Sequence, residues 1–136
     1  HIDYINSIPT DFRNLALNSK DELFVITASG GYIYKLSKTD GSYSQYYGPV
    51  SCNDPRAMCF DKYDNILYGG RLGKKVYKVS DNGGSPTQTF YAGIATSIGT
   101  IYGLTVDKNN DLYVKLGNIY YIIKKYNLNS GYAPFR

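Results

Sequence analysis

Two arginines and a tyrosine at matching positions are the residues whose type and spacing best suggest chemistry. Arg13 and Arg56 are 43 residues apart, and Tyr102 lies 46 residues further along. A guanidinium group carries paired N–H donors that bind a carboxylate or a phosphate. These positions therefore predict a site for an anion. In the alternative interpretation, each arginine pairs with Asp11 or Asp54 nearby and only ties loops together.

Further basic and polar residues are expected at the same end of the molecule as these arginines. They lie in or beside predicted turns, and those that we assign to a ligand-binding rim are Arg71, Lys74, Lys115 and Asn118. The turns at the opposite end hold mostly aspartate, so the molecule is predicted to be electrically polar along its axis. We expect the rim to bind a glycan or an anionic small molecule.

Tyrosine dominates the aromatic residues, with 16 Tyr against 5 Phe and no Trp, a composition that favours half-buried strands. An aromatic ring can pack on a sugar ring while short polar groups bind its hydroxyls. Four tyrosines on or near predicted outer strands are candidates for ligand-binding grooves: Tyr43, Tyr46, Tyr47 and Tyr91. Alternatively, they cover apolar surface of the outer strands.

Histidine and glutamate are almost missing, since His1 and Glu22 are the only residues of their types. This composition argues against histidine-based triads and histidine-rich metal sites. The Asp-rich turns lack the ligand spacing of a calcium loop, so we expect ordinary turn chemistry there. We predict no metal and no cofactor.

The sequence favours a binding protein that is not an enzyme, with no catalytic residue. No serine lies beside a base, and no glycine-rich phosphate loop leads from a strand into a helix. A lyase or hydrolase is the third hypothesis, after ligand binding and after interaction with nucleic acid or protein. Tyr102 together with Arg13 and Arg56 is the one cluster that could serve such an enzyme.

Cys52 and Cys59 are the only cysteines. Two cysteines are too few for a disulfide-dense scaffold, and their spacing does not fit a zinc knuckle. They could form a single local disulfide. The alternative is a pair of unlinked thiols, with Cys59 buried as a small apolar residue.

Three repeats must position all of these residues. The pattern of each repeat predicts a first strand in which large and small residues alternate, then a turn rich in Asp and Asn and a second strand. A Gly-bearing turn, a third strand and an outer strand follow. The 136 residues form a single unit in which the repeats span approximately 13–47, 56–91 and 102–136. The predicted outer strands are Tyr43–Tyr47 and Thr87–Tyr91, and only Tyr132–Arg136 remains for the third repeat.

The first strand of each repeat alternates large residues with small ones. The large residues are Leu15, Leu17, Met58, Phe60, Leu104 and Val106, and the small ones are Ala16, Cys59 and Thr105. This alternation indicates a strand that is buried on both faces and has one tight side.

Four short antiparallel strands in about 40 to 45 residues are typical of a β-propeller blade. The pattern of Leu or Val, an Asp turn, Leu-Tyr-Val and then Ile-x-Lys resembles NHL-type blades and the related gluconolactonase and strictosidine-synthase-like propellers. The resemblance implies an all-β fold of three four-stranded propeller blades. It also implies an alternative function, binding of RNA or protein on a basic face, where Lys35, Lys78 and Lys124 recur beside tyrosines.

Three blades are too few to close a ring, because propellers have at least four. Residues 1–8 read as an outer strand ahead of the first repeat, and we expect this strand to complete the last blade of a second copy. The predicted assembly is a homodimer that forms a six-bladed propeller. The alternative is that the chain is half of a longer protein, produced by proteolysis or by design.

Cellular location is predicted only from general features. The longest apolar runs are a few residues long, so we expect no membrane insertion. His1 as the first residue indicates a processed mature protein or a trimmed chain, and together with the cysteine pair it favours secretion. A cytoplasmic location is the alternative.

Overall fold

The computed structural model describes residues 11–28, 31–52, 54–71, 75–95, 100–117, 121–129 and 134–135. These residues form twelve β-strands and no helix, so no helical membrane span is present among them. In chain order the strands are β1 (Phe12–Leu17), β2 (Leu23–Thr27), β3 (Ile33–Leu36), β4 (Tyr43–Tyr47), β5 (Pro55–Phe60), β6 (Ile66–Gly70), β7 (Lys75–Asn82), β8 (Ser85–Ala95), β9 (Thr100–Val106), β10 (Asp111–Gly117), β11 (Tyr121–Asn127) and β12 (Pro134–Phe135).

The strands form three antiparallel sheets, which we call blades 1, 2 and 3. Blade 1 has the order β1-β2-β3-β4, blade 2 contains β5 to β8 in the corresponding order, and blade 3 contains β9 to β11. The innermost strands β1, β5 and β9 lie next to one another, so the sheets follow one another as successive propeller blades. The predicted all-β architecture is confirmed.

The turn between the first two strands is built in the same way in every blade. In blade 2, Asp61 Oδ1 accepts hydrogen bonds from the backbone N–H groups of Tyr63 and Asn65, both at 2.9 Å. Asn18 and Asp107 accept the equivalent pairs in blades 1 and 3. The fourth residue of each turn has a positive φ, which Asp and Asn adopt more readily than most residues: Asp21 (57°), Asp64 (62°) and Asn110 (62°). Hydrogen bonds from backbone N–H groups to the first side chain of each turn thus stabilise the turns.

Each innermost strand directs large residues to one neighbouring blade and small residues to the other. On β5, Met58 packs against blade 1, whereas Ala57 and Cys59 pack against blade 3. On β9, Leu104 and Val106 pack against blade 2. We call the side of a blade that meets the blade before it in the chain its preceding face, and the opposite side its following face. The preceding face carries the large residues and the following face the small ones.

Two apolar clusters fill the junctions between blades. The junction between blades 1 and 2 contains Phe24, Ile26, Ile33, Cys52, Met58, Ile66, Tyr68, Tyr77 and Val79. The junction between blades 2 and 3 contains Ala57, Cys59, Leu67, Val76, Tyr91, Ile101, Leu112, Val114 and Leu116. Because the blades share these clusters, removal of apolar surface from water holds each blade to the next.

Gly69 allows blade 3 to approach blade 2 closely. A Cβ atom at this position would lie 2.7 Å from Cδ1 and 3.3 Å from Cγ2 of Ile101. Non-bonded carbon atoms pack best at about 3.5–4.0 Å. The fully buried Ile101 side chain therefore occupies the space that any larger residue at position 69 would need.

The third strand of blade 3 is shifted by one residue from the register that the repeats predict. In blade 1 Lys35 lies opposite Phe24, and in blade 3 Lys125 lies opposite the equivalent Tyr113. The predicted equivalence of Lys35 with Lys124 is therefore wrong. The reason is that one more residue separates the paired positions in the hairpin of blade 3.

The last strand lies on blade 2, so the prediction that Tyr132–Arg136 supplies the outer strand of blade 3 is wrong. β12 pairs with β8, with Pro134 opposite Tyr91 and Phe135 opposite Phe90. The edge of β8 offers unpaired backbone groups, which readily accept another strand. In the described residues blade 3 has three strands, with β11 at its edge. The strand predicted over residues 1–8 lies outside the described residues.

Cys52 and Cys59 are free thiols on opposite sides of blade 2. Cys52 belongs to the cluster between blades 1 and 2, and Cys59 to the cluster between blades 2 and 3. Burial raises the pKa of the Cys59 thiol to about 12, and the nearby Asp61 carboxylate adds to this rise. The structure therefore has two unlinked thiols and no local disulfide.

We expect the Asp61→Ala variant to be destabilised by about 2–3 kcal/mol, because it leaves partly buried backbone donors without an acceptor. Urea unfolding followed by circular dichroism measures this loss. Asp40→Ala is the matched control, since Asp40 accepts one backbone bond, from Ser42, in an exposed turn. Equal loss of stability in both variants would contradict a structural role specific to the Asp61 turn.

Candidate functional site

Arg13 and Arg56 converge on one carboxylate where the innermost strands of blades 1 and 2 begin. Arg56 donates to Asp54 Oδ2 from Nε at 3.0 Å and from Nη2 at 2.7 Å. Arg13 Nη2 lies 3.3 Å from Asp54 Oδ1. The structure therefore pairs both arginines with Asp54, and two positive charges share one negative charge.

The backbone around Asp54 fixes the position of this carboxylate. Asp54 has a φ of 51°, and its carbonyl accepts a hydrogen bond of 3.2 Å from the N–H of Arg71. A Cβ atom at Gly70 would lie 2.3 Å from the same carbonyl oxygen, so glycine is needed for this close approach. Arg71 is exposed beside it. We call Arg13, Asp54, Arg56 and Arg71 the arginine cluster.

Of the remaining residues of the predicted rim, Tyr102 and Lys115 are described, and neither belongs to the arginine cluster. Tyr102 occupies the position in β9 that the two arginines occupy in their blades, and it is exposed. Lys115 lies within β10, opposite Gly103 on the following face of blade 3. Lys74 and Asn118 lie outside the described residues. The arginine cluster is thus built by blades 1 and 2.

At its other end, the junction between blades 1 and 2 opens into a groove of about 390 Å³, which we call the inter-blade groove. This volume falls within the range of about 300–1,000 Å³ that small-molecule sites occupy. The lining residues come from the first turn of each blade and from the strands beside it: Asn18, Lys20, Glu22, Phe24, Lys35, Tyr46, Phe60, Tyr63, Asp64 and Asp81.

Aromatic rings form the floor of the inter-blade groove. The ring of Phe24 meets those of Tyr46 and Phe60 edge to face, with centroids 5.1 and 5.2 Å apart. Tyr63 lies at the edge of the groove and is 68% exposed. The ammonium of Lys62 lies 5.1 Å from the Tyr63 ring centroid. The groove thus offers a packed apolar floor and one exposed ring.

Polar groups stand beside this floor. Glu22 accepts hydrogen bonds from the Lys35 ammonium and, at 2.9 Å, from the Asn18 amide. These bonds, that of Lys35 first, hold the pKa of Glu22 below its ordinary value of 4.5. Burial raises the pKa of the Tyr46 phenol, so this hydroxyl stays neutral at physiological pH. A charged carboxylate, an ammonium, an amide and a phenol therefore line one groove.

Hydrogen bonds between turns hold the two walls of the groove together. The Ser19 N–H donates to Asp64 Oδ1 at 2.9 Å, and the Ser19 hydroxyl donates to Asp64 Oδ2. The next junction has the same contact, since the Lys62 N–H donates to Asn110 Oδ1 at 3.2 Å. In both junctions, the N–H of the second turn residue thus donates to the side chain of the fourth turn residue in the following blade.

Of the four tyrosines predicted for grooves, Tyr46 lines the inter-blade groove. Tyr43 lies on the other side of blade 1, where its ring meets Tyr34 at 5.5 Å. Tyr47 borders the cluster between blades 1 and 2. Tyr91 is buried between blades 2 and 3, and this burial raises its pKa.

Phe24 and Phe60 were not predicted as groove residues. The aligned repeats contain a signal for them, because the equivalent positions of the next junction hold Leu67 and Val106. A facing pair of phenylalanines is therefore specific to the junction between blades 1 and 2.

No protein-family model and no curated protein matches the chain. Among solved structures it is similar to streptogramin B lyase, with a TM-score of 0.64 and 17% identity over 92% of this chain and 43% of that chain. For virginiamycin B lyase from Staphylococcus aureus the TM-score is 0.62 and the identity 17%, over 93% of this chain and 45% of that chain. For the WD40 β-propeller domain of Doa1 the TM-score is 0.58 and the identity 19%, over 76% of this chain and 32% of that chain. The chain spans less than half the length of these structures, and the likeness shows the β-propeller fold.

The prediction that the protein is not an enzyme is contradicted by these similarities. The streptogramin B and virginiamycin B lyases are enzymes that share its fold, and one matching structure is a catalytically inactive variant of the latter with quinupristin. The prediction rested on residue types missing from the composition. A propeller fold carries enzymes as well as binding proteins, so composition was too weak a basis.

We expect Glu22→Gln to lower stability at neutral pH and to have little effect in acid. The lowered pKa means that the ionised Glu22 stabilises the fold above the unfolded-state value of 4.5, and that this contribution is lost as the pH falls through the folded-state pKa. Urea unfolding from about pH 7 to pH 3 measures the difference from wild type. Asp21→Asn, an exposed change in the same turn, is the control, and a pH-independent difference for Glu22→Gln would contradict the ion pair.

Proposed function

We propose that the protein binds a saccharide in the inter-blade groove. The observation that carries this proposal is the aromatic floor of Phe24, Phe60 and Tyr46 beneath a wall of hydrogen-bonding side chains. A sugar ring has apolar C–H faces and a belt of hydroxyls, so it needs both surfaces at once. Ligand sites commonly combine apolar and polar groups, and in this groove the polar side chains are the more numerous.

The exposed ring of Tyr63 is the group best placed to stack on the sugar. Its neighbours Phe24 and Phe60 are packed into the floor, whereas Tyr63 is largely open to solvent at the edge. Aromatic side chains supply a large contact area and lose little conformational freedom on binding. Stacking on Tyr63 therefore accounts for the apolar part of the interaction.

The polar wall matches the two-sided hydrogen bonding of a hydroxyl. The carboxylates of Glu22 and Asp64 accept hydrogen bonds, and the Lys35 ammonium donates them. The Asn18 amide can donate through its second N–H, since its oxygen already accepts two backbone N–H groups. Each carboxylate oxygen has room for a second donor beyond its bond within the protein. A hydroxyl can thus replace water at these groups without breaking the contacts already made.

The charge of the groove favours a neutral or amino sugar over an acidic one. Two lysines and three carboxylates line it, which leaves one net negative charge: Lys20, Lys35, Glu22, Asp64 and Asp81. An acidic sugar would meet repulsion there.

The test begins with an array of neutral, amino and sialylated glycans, and continues with calorimetric titration of the free sugar that binds. We expect Tyr63→Ala to weaken binding about tenfold, equivalent to about 1.4 kcal/mol. Tyr43→Ala is the matched control, because Tyr43 lies on the other side of blade 1. It should bind as the wild type does.

Two results would refute the proposal. One is an array on which no glycan binds at millimolar protein concentration. The other is a glycan whose affinity falls with Tyr43→Ala and not with Tyr63→Ala, since this would place the sugar on the opposite face of blade 1.

A second candidate function is anion binding at the arginine cluster. It is favoured by the charge balance there, because the guanidinium groups of Arg13 and Arg56 share the carboxylate of Asp54. The guanidinium groups of Arg13 and Arg56 are partly exposed and carry further N–H donors. A carboxylate or phosphate could bind these donors at the rim.

Titration with inorganic phosphate and with citrate tests this second function. We expect Arg13→Ala/Arg56→Ala to weaken binding at least about tenfold, and Arg13→Lys/Arg56→Lys to retain part of it, because charge remains while the paired donors are lost. Lys38→Ala, in an exposed turn, is the control. Unchanged binding of both anions by the alanine variant would exclude the cluster.

Membership in the NHL type, with RNA or protein as the partner, stays a prediction. Its RNA form would rely on the lysines of the third strands. Lys35 pairs with Glu22, and Lys78 lies 5.8 Å from the ring of Tyr91. Both lysines are thus engaged within the junctions, which favours the saccharide over the nucleic acid.

A further inference from the structure

Two blade faces have no neighbouring blade in the described part of the chain: the preceding face of blade 1 and the following face of blade 3. Large apolar side chains are exposed on both. Leu15 is 63% exposed on the first of these faces, and Ile123 is 73% exposed on the second. Exposed apolar residues grouped on one face indicate a surface that another molecule covers.

Residues at the same positions inside the chain show how such faces are normally covered. Ile123 lies opposite Lys115 in blade 3, in the same way that Ile33 lies opposite Ile26 in blade 1. Ile33 is fully buried against blade 2. Met58 occupies the position of Leu15 and is 3% exposed against blade 1. The outer faces therefore carry apolar residues, Leu15 and Ile123, at positions that are buried inside the junctions, while Lys115 stands at the position of the buried Ile26.

The following face of blade 3 contains a shallow apolar hollow of about 230 Å³. It is lined by Gly103, Leu104, Thr105, Tyr113, Lys115 and Ile123. Gly103 and Thr105 occupy the small positions of β9, which correspond to Ala57 and Cys59 of β5. In blade 2 those small residues receive the large side chains of the next innermost strand.

The two outer faces are therefore complementary in shape. Leu15 and Leu17 project from the preceding face of blade 1. They occupy the positions that Met58 and Phe60 occupy on the preceding face of blade 2. Gly103 and Thr105 carry no large side chain on the following face of blade 3, where the Lys115 side chain lies beside Gly103. Large residues of one face fit the small residues of the other, as in both junctions of the chain.

The first turns of the blades repeat this complementarity in their hydrogen bonds. In each junction the N–H of the second turn residue donates to the side chain of the fourth residue in the following blade, from Ser19 to Asp64 and from Lys62 to Asn110. Lys108 is the second residue in blade 3, and Asp21 is the fourth in blade 1. Both are exposed, and their side chains carry opposite charges.

We propose that the following face of blade 3 binds the preceding face of blade 1 in a second copy of this chain. Leu15 and Leu17 then enter the hollow at Gly103 and Thr105, and the Lys108 N–H donates to Asp21 of the other copy. Each copy contributes one face of each kind, so two identical junctions form and close a ring of six blades. The proposal does not depend on the ligand of the inter-blade groove.

Light scattering during gel filtration, over a concentration series, tests the assembly. We expect a mass of about twice 15.2 kDa for the wild-type chain. Leu15→Glu/Leu17→Glu and, from the other face, Ile123→Glu should each raise the dissociation constant of the dimer at least about a hundredfold. Tyr63→Glu is the control, because Tyr63 is equally exposed but lies at the inter-blade groove.

Circular dichroism of each variant checks that the monomer stays folded, which is expected because the changed residues are exposed. A wild-type mass of 15.2 kDa at every concentration would overturn the proposal. Open-ended aggregation would also overturn it, as would a dimer that neither face variant weakens. In the last case the copies would associate through another surface, such as the edge of β11.

Discussion

The alternation of large and small side chains on the innermost strands is the constraint on which the rest of the structure depends. Met58 and Phe60 of β5 pack in one cluster with Ala16 of β1, so this alternation joins the two innermost strands. The arginine cluster lies at one end of this pair of strands, and the inter-blade groove lies at the other. Both candidate sites are therefore products of a single packed junction.

The first turn of each blade performs two tasks with one set of polar residues. Its first residue accepts two backbone N–H groups and shapes the turn, as Asp61 does. Its fourth residue has a positive φ and receives the turn of the blade before, as Asp64 does from Ser19. Aspartate and asparagine satisfy both needs, since they adopt this conformation and carry acceptors on a short side chain. The aspartate content of these turns is thus a consequence of turn geometry.

Local periodicity made the fold predictable. The outer strand predicted at Tyr43–Tyr47 has these bounds in the structure, because alternation and the flanking turn residues mark it unambiguously. The sites were less predictable because they depend on contacts between blades. The one-residue difference in the hairpin of blade 3 moved the equivalent lysine to Lys125, and Tyr91 is buried because blade 3 covers it. The convergence of Arg13 and Arg56 on Asp54 follows from the packing of β1 beside β5, which no single repeat contains.

The placement of the two cysteines has a consequence for how the molecule moves. A row of blades in which each contacts only its neighbours can open at one junction while the other stays closed. Cys52 is covered by the junction between blades 1 and 2, and Cys59 by that between blades 2 and 3. Each thiol is shielded by a different junction, so the opening of one junction would expose one sulfur and leave the other covered. The rate at which a thiol reagent modifies Cys52 or Cys59 therefore measures how often the junction that covers that residue opens.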